Sequence, residues 1–487
     1  MNLQQHVHLY ERREEIPPSP TDVEIWSSTN IADRYYLIGL GGRGITALQR
    51  FGVWKDVEAV SIAVPGRKDW TTKKSKNKDG EESEYVDDGI EKMLTDRKYM
   101  THVLPRDKLV SVLHKHINDK YSDRVTMHYG YDIQPVDFDY GTEDEDDVDT
   151  TSVLVRIVDS PSSDNGAQDR IISTKFLIVA DGSARSFVNQ MEKEDGDNHV
   201  DDPIHVERYV DDQPRIYKSI PFQVPEGWKS NLNYSVRADS AEKGQPQIIF
   251  DALPVSQSST GRDYCGVLLL PENHPMSQAN VDVNYMDSFL RTTLPQLYPC
   301  FEKDKIVDLA KKSPSALPKF RYVGPRLYHC ERTVLVGDCI KTVKPYFGLG
   351  ANSALEDVLV LSNCIENAMK VDGNGKTSHM TNYLTDAIIE YSDRRASDIK
   401  TLVVISHSLD RPGPLGMARF LIPVILDGIF RGLLPQIFAP NIINMLQNEE
   451  LTFEEAAQRK LYDRIGQIAI LGGLGYAVTS GIQSALQ

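Results

Sequence analysis

The sequence predicts an α/β protein with an antiparallel sheet in its middle and a helical region at its C-terminal end. Three observations carry that expectation. The apolar runs Val7–Tyr10, Lys175–Ala180 and Thr333–Val336 each lead into an acid or into an Asp–Gly or Gly–Asp pair, as short buried strands do where they feed a turn. Ile248–Pro254 and Cys265–Pro271 are apolar runs separated by a polar turn, the pattern of an antiparallel pair. After Leu361 the spacing of apolar residues is helical, over Ala387–Ser406 and Glu454–Ile470.

Length and charge bound the rest. The 487 residues leave room for two or three domains with ample core. A net charge of −16 argues against a nucleic-acid partner. The acidity gathers at Asp79–Asp88, Glu143–Asp149 and Glu192–Asp202, which read as solvated insertions. The 5 cysteines show no C-x-x-C spacing, so the sequence implies a reducing, intracellular compartment and no zinc site. Met1–Glu15 is polar and charged, unlike a signal peptide. Ile465–Gln487 carries no charge and has the length of a membrane span, though Gly, Ser, Thr and Gln dilute it. Membrane contact and a buried cytoplasmic helix both fit that segment.

Each element follows in order. Val7–Glu11 reads as a strand ending in an acid. Tyr35–Gly44, YYLIGLGGRG, puts Gly39, Gly41 and Gly44 in G-x-G-x-x-G spacing before a helical Ile45–Phe51. A dinucleotide fingerprint also needs an acid about 20 residues on, at a strand end, and Ser61–Val64 ends without one. Residues 71–89 and 141–150 read as polar insertions, the first of them a loop. Leu104–Val110 opens a helix, with Pro105 near its start. Val125–His128 and Val153–Val158 read as strands. Behind Lys175–Ala180 stands Asp181-Gly182. The middle domain begins between Pro203 and Pro221.

Gly337–Leu361, GDCIKTVKPYFGLGANSALEDVLVL, carries the most chemistry. An acid at a strand end is followed by a Pro turn, two glycines one residue apart, an Asn and an amphipathic helix. That order suits a flavin. Asp338 can accept hydrogen bonds from ribityl hydroxyls. Gly348 and Gly350 lack a Cβ, so backbone can lie against a flat ring. A helix starting near Asn352 offers unpaired N–H groups and a positive dipole end to the charge a reduced flavin develops. The plainer alternative is a strand–turn–helix unit with a Gly-rich turn.

The whole string resembles the signature GD…P..G.G.N…ED of the FAD-dependent aromatic hydroxylases, and is most similar to their kynurenine 3-monooxygenase-like branch. V-x-x-Y-E-x-R at Val7–Arg13, the R-x-x-x-L-x-L-x-x-R-G-x-x-A-L pattern from Arg34 to Leu48, and Arg106 opening a helix resemble the same family. So does Phe453–Arg459. The resemblance implies a glutathione-reductase-type, Rossmann-like FAD-binding domain over 1–203 and 326–365, a substrate domain over 204–325, and a helical region over 366–487. It implies cofactor contacts at Glu11, Arg12, Arg106, Asp181, Gly182, Gly337, Asp338, Pro345, Gly348, Leu349, Gly350, Ala351 and Asn352. Arg67 and Tyr99 align loosely with substrate-binding positions. The implied chemistry is NAD(P)H-driven hydroxylation of a small aromatic or similar organic substrate. NADPH or NADH reduces FAD, O2 forms a flavin C4a-hydroperoxide, and no side chain acts as nucleophile. Kynurenine itself fits poorly, since Phe453 stands where the family has a Tyr, and Lys341 and Leu349 replace the usual His and Gln. If Glu11 holds the adenosine ribose, the first strand and its G-x-G-x-x-G turn have no room upstream. The expectation is a chain truncated at its N-terminus, and a reductase or a non-catalytic homologue stays an alternative.

Overall fold

The structure is a computed structural model. It describes residues 6–22, 25–26, 36–76, 82–86, 88–94, 98–140, 152–159, 169–238, 247–255, 261–372, 380–411 and 413–486. The 141–150 insertion and Arg34 lie outside the described residues.

Two parallel pairs form the α/β part. Val7–Glu11 lies beside Val125–Tyr129, with Glu11 opposite Tyr129. Leu177–Val179 lies beside Thr333–Leu335. Tyr328–His329 runs antiparallel along the other edge of Thr333–Leu335. Parallel strands are normally buried on both faces, so they read as continuous apolar runs. Thr333–Leu335 obeys this and is wholly buried. A separate antiparallel sheet joins Tyr131–Tyr140, Ser152–Asp159 and Arg170–Thr174.

The middle of the chain builds an 8-stranded sheet. Arg215–Gln223, Asp263–Pro271, Ile248–Pro254 and Leu232–Ala238 pair antiparallel in that order. Ile248–Pro254 alternates between buried and half-buried positions, the period-2 pattern of a sheet with one face in the core. That core packs Phe250, Leu268 and Leu270 against Met286, Leu290, Ile306 and Leu309 of the helices Val283–Thr293 and Lys303–Lys311. Each such side chain contributes roughly 1.5–3 kcal/mol by leaving water.

One expectation fails here. Residues 71–89 were to form a loop, yet Gly66–Lys76 runs as one strand into that stretch and Glu82–Val86 pairs back along it. Gly66–Lys76 also pairs parallel with Leu232–Ala238, so it extends the middle sheet across the expected domain boundary. Its Lys- and Thr-rich sequence hides the strand, because it carries no apolar run although it pairs on both sides.

Four long helices follow: Leu349–Asp372, Met380–Ser408, Gly413–Leu433 and Phe453–Leu486. Buried charges join the last two. Asp427 receives Lys460 and Arg464, and Arg464 also bonds the carbonyl of Pro423, a proline inside its helix. Ile422, Ile425 and Ile429 on one helix, and Leu461, Ile465 and Ile468 on the other, stand exposed. Among the described residues, no helix is long and apolar enough to cross a membrane.

Candidate functional site

The Gly337–Leu361 string folds as its residue types require. Thr333–Leu335 ends at Gly337, whose φ of 76° lies in the left-handed region. Pro345–Phe347 makes one 3-10 turn, and Gly348, at φ 63°, reverses the chain. Only glycine takes that conformation without cost. The 24-residue helix begins at Leu349, three residues earlier than expected. An added Cβ on Gly350 would meet nothing within 4 Å, so the helix start faces open space.

Asn352 holds this turn against the other glycine-rich turn. Its Nδ2 donates to the carbonyls of Gly39 (2.8 Å) and Gly348 (2.6 Å), and its Oδ1 accepts from the Gly41 N–H (2.8 Å). A Cβ on Gly44 would come within 2.5 Å of that Oδ1. The G-x-G-x-x-G spacing at Gly39–Gly44 therefore serves close packing of the helix Gly42–Arg50 on Leu349–Asp372. The side chain of Asn352 works as a clamp between backbones.

Glu11 caps its own strand end by accepting from the Arg13 N–H (2.9 Å). Arg12 is exposed. Arg13 reaches Asp107, which Arg106 also contacts. The Arg106 N–H bonds the Tyr36 carbonyl (2.9 Å). The Tyr36 phenol is pushed up by desolvation and by the nearby Tyr217 and Asp338, and Arg106 pulls it down. Asp338 is open to solvent, yet the protein mass around it raises its carboxyl above the usual range, against the pull of Lys341 and Arg185. Asp338 thus has solvent access while the surrounding protein still desolvates it. Asp338 makes no hydrogen bond to another described residue, so its acceptors remain available.

Asp181 and Gly182 join from the next strand. Asp181 Oδ2 accepts from Ser186 Oγ (2.9 Å) and the Phe187 N–H, while its buried Oδ1 has no partner. Arg185, in the left-handed region, donates to the Cys339 carbonyl (2.8 Å). It ties the Asp181-Gly182 turn to the Gly337-Asp338 turn.

Expectations about four side chains need correction. Lys341 was placed beside the flavin, but it is buried and paired with Asp357, which also binds Arg395 (2.6 Å). Leu349 points into a core with Phe320, Leu402 and Phe453, so only its backbone can face a cofactor. Phe453 is wholly buried under the Arg43 guanidinium, 4.1 Å from its ring centre. Ala351 likewise packs against the helix Gly42–Arg50 cluster. The two weak substrate candidates do not converge. Arg67 pairs with Asp69 on the middle sheet, and Tyr99 bonds Gln49 beside the helix Gly42–Arg50.

Residues flanking Pro345 were missed. Lys344 is fully buried and spends its three protons on Asp211 (2.8 Å), the Gln213 carbonyl (2.9 Å) and Asp410 (2.6 Å). Its neighbour Tyr346 has a buried hydroxyl with no partner, and desolvation drives that phenol well up. Arg215, at the end of the middle sheet, faces the same group of charges. Their position around Pro345 was the readable signal.

This is the fold of FAD-dependent monooxygenases, and the chain resembles class A flavin hydroxylases in sequence as well. Among solved structures, it matches the probable FAD-dependent monooxygenase PqsL from Pseudomonas aeruginosa with a TM-score of 0.52 and 17% identity, over 85% of this chain and 92% of that one. The tetrameric form of 2-methyl-3-hydroxypyridine-5-carboxylic acid oxygenase gives a TM-score of 0.53 at 15% identity, over 85% and 88%. Among curated relatives, kynurenine 3-monooxygenase of Salinispora tropica is 23% identical over 314 residues, 62% of this chain and 60% of the relative. That of Dictyostelium discoideum is 27% identical over 158 residues, 32% and 34%. The chain thus matches between about a third and 60% of these relatives' own length. No protein-family model matches.

Proposed function

We propose that the chain is an FAD-dependent monooxygenase that hydroxylates a small organic substrate with NADPH or NADH and O2. The observation that carries this reading is Asp338, a solvent-open acid at a strand end beside the glycine turn that starts a long helix. Unspent carboxylate oxygens, a helix start facing open space at Gly350, and Arg106 on the rim suit a flavin's ribityl chain, ring edge and phosphates respectively. The two parallel strand pairs support a glutathione-reductase-type nucleotide-binding unit around that acid.

Bound FAD would supply hydride uptake from the nicotinamide and oxygen transfer to the substrate. The chain's own residues bind and orient. First-turn N–H groups at Leu349–Ala351 have no partner inside their helix and would be available to negative charge on the ring edge. Asp338 holds hydroxyls of the cofactor. Tyr346 offers a buried hydroxyl, and Arg215 a buried cation, on the substrate side of the Pro345 turn. A substrate with an oxygen acceptor suits both.

The test uses 18O2. The FAD-loaded chain, given NAD(P)H and a panel of small aromatic acids, is expected to yield a product carrying one labelled oxygen. NAD(P)H oxidation that releases only hydrogen peroxide, whichever panel member is present, contradicts the proposal and favours a reductase.

A further inference from the structure

A second polar site lies at the far end of the strand Thr333–Leu335. A cavity of about 460 Å3 opens there, between the strand Tyr131–Tyr140, the helix Ser186–Asp197 and the turn after Tyr328–His329. Glu331 and Asp338 are seven residues apart in sequence, and an extended chain rises roughly 3.3 Å per residue, so this cavity stands up to about 23 Å from Asp338.

Its wall is acidic. Asp139, Glu194, Asp195 and Glu331 line it, against the single guanidinium of Arg326. Asp195 is 2% exposed and accepts from the Ile204 N–H (2.6 Å) and from Arg326 Nη2 (2.6 Å).

His329 decides what the cavity takes. It lines the cavity at 4% exposure, with the Phe138 ring edge-on to it at 4.9 Å. Its Nε2 lies 3.7 Å from Glu194 Oε2 and its Nδ1 3.5 Å from Asp195 Oδ1, and Nδ1 has no hydrogen-bond partner. Desolvation lowers its proton affinity and keeps the ring neutral. A neutral imidazole carries one N–H. Whichever tautomer forms, one ring lone pair faces a carboxylate oxygen, and two acceptors at that range need a donor between them. A buried pair left this way is costly, on the order of 1–3 kcal/mol.

A bare metal ion would fill little of this volume. Among the described residues, no group of three or more His, Cys, Asp or Glu could hold one. An ammonium on a carbon chain supplies charge, several N–H donors and bulk together.

We propose that this cavity binds a small organic amine cation of the diamine or polyamine class, its ammonium bridging His329, Asp195 and Glu194. Calorimetric titration of the purified chain with 1,4-diaminobutane and with spermidine tests this, with 1,4-butanediol as the uncharged control and Mg2+ as the charge control. Saturable single-site heat is expected for the amines and none for the diol. Affinity should fall roughly tenfold or more, about 1.4 kcal/mol, in Glu194→Gln. Asp139→Asn, at an exposed position, should weaken binding in the same direction and serves where Glu194→Gln fails to fold. No saturable amine binding, an equal response to Mg2+, or a folded variant that binds as tightly as the parent overturns the proposal. The readout needs no FAD, so it stands or falls apart from the flavin reading.

Discussion

Asp338 concentrates what a single residue can say here. Its carboxyl is raised by the protein mass around it, so the folded state binds a proton more readily than the unfolded chain. Any stability from that carboxyl is present at low pH and lost as pH rises through its folded value. The charge at neutral pH therefore does not serve the fold. Asp338→Asn should leave the melting temperature of the FAD-free chain unchanged or slightly raised, while weakening FAD at least roughly tenfold in a fluorescence titration. A large loss of stability would mark Asp338 as structural. Gly348 was legible because its left-handed φ needs glycine, and Asp338 could be read as an acid placed just past a strand end. Lys341, Leu349 and Phe453 were misread because sequence spacing does not reveal which way a side chain turns. Burial beside Asp357, in the Phe320 core and under Arg43 decided those three.

At the scale of elements, the Pro345 turn is fastened from outside. Lys344 binds Asp211 in the segment before the middle sheet and Asp410 just past the helix Met380–Ser408. Lys344→Met would leave two buried carboxylates unpaired, at a cost of about 3–5 kcal/mol. Chemical denaturation should show that loss, and Asp211→Asn combined with Asp410→Asn should recover part of it. Asn352→Ala removes two bonds between the two glycine-rich turns and one within its own, and a loss of roughly 2–4 kcal/mol is expected in the same assay. Strands such as Thr333–Leu335 and Ile248–Pro254 were legible because burial imposes an apolar pattern on them. Gly66–Lys76 was not, because its pairing partner, Leu232–Ala238, stands more than 150 residues further along the chain.

Across the whole molecule, buried histidines set the response to acid. Desolvation lowers both His102 and His329, so the unfolded chain takes up protons that the folded chain refuses. That stability is full above the unfolded value near 6.5 and is lost as pH falls through it. Raised carboxyls at Asp398 and Asp410 act in the opposite sense. Melting temperature should therefore fall between about pH 7.5 and 5.5, and His102→Gln should flatten the slope. A parent slope of the opposite sign would contradict this. The broad α/β plan with an antiparallel middle was legible from three runs of apolar residues, whereas the way those parts share the Lys344 and Asn352 clamps was not. The central claim is that the site around Asp338 is built for FAD. Its most direct test is to titrate FAD into the purified, folded chain and follow the visible flavin spectrum. Saturable binding with a perturbed, structured absorption band is expected, weakened in Asp338→Asn. A folded chain that leaves the spectrum of free FAD unchanged at high concentration would contradict it.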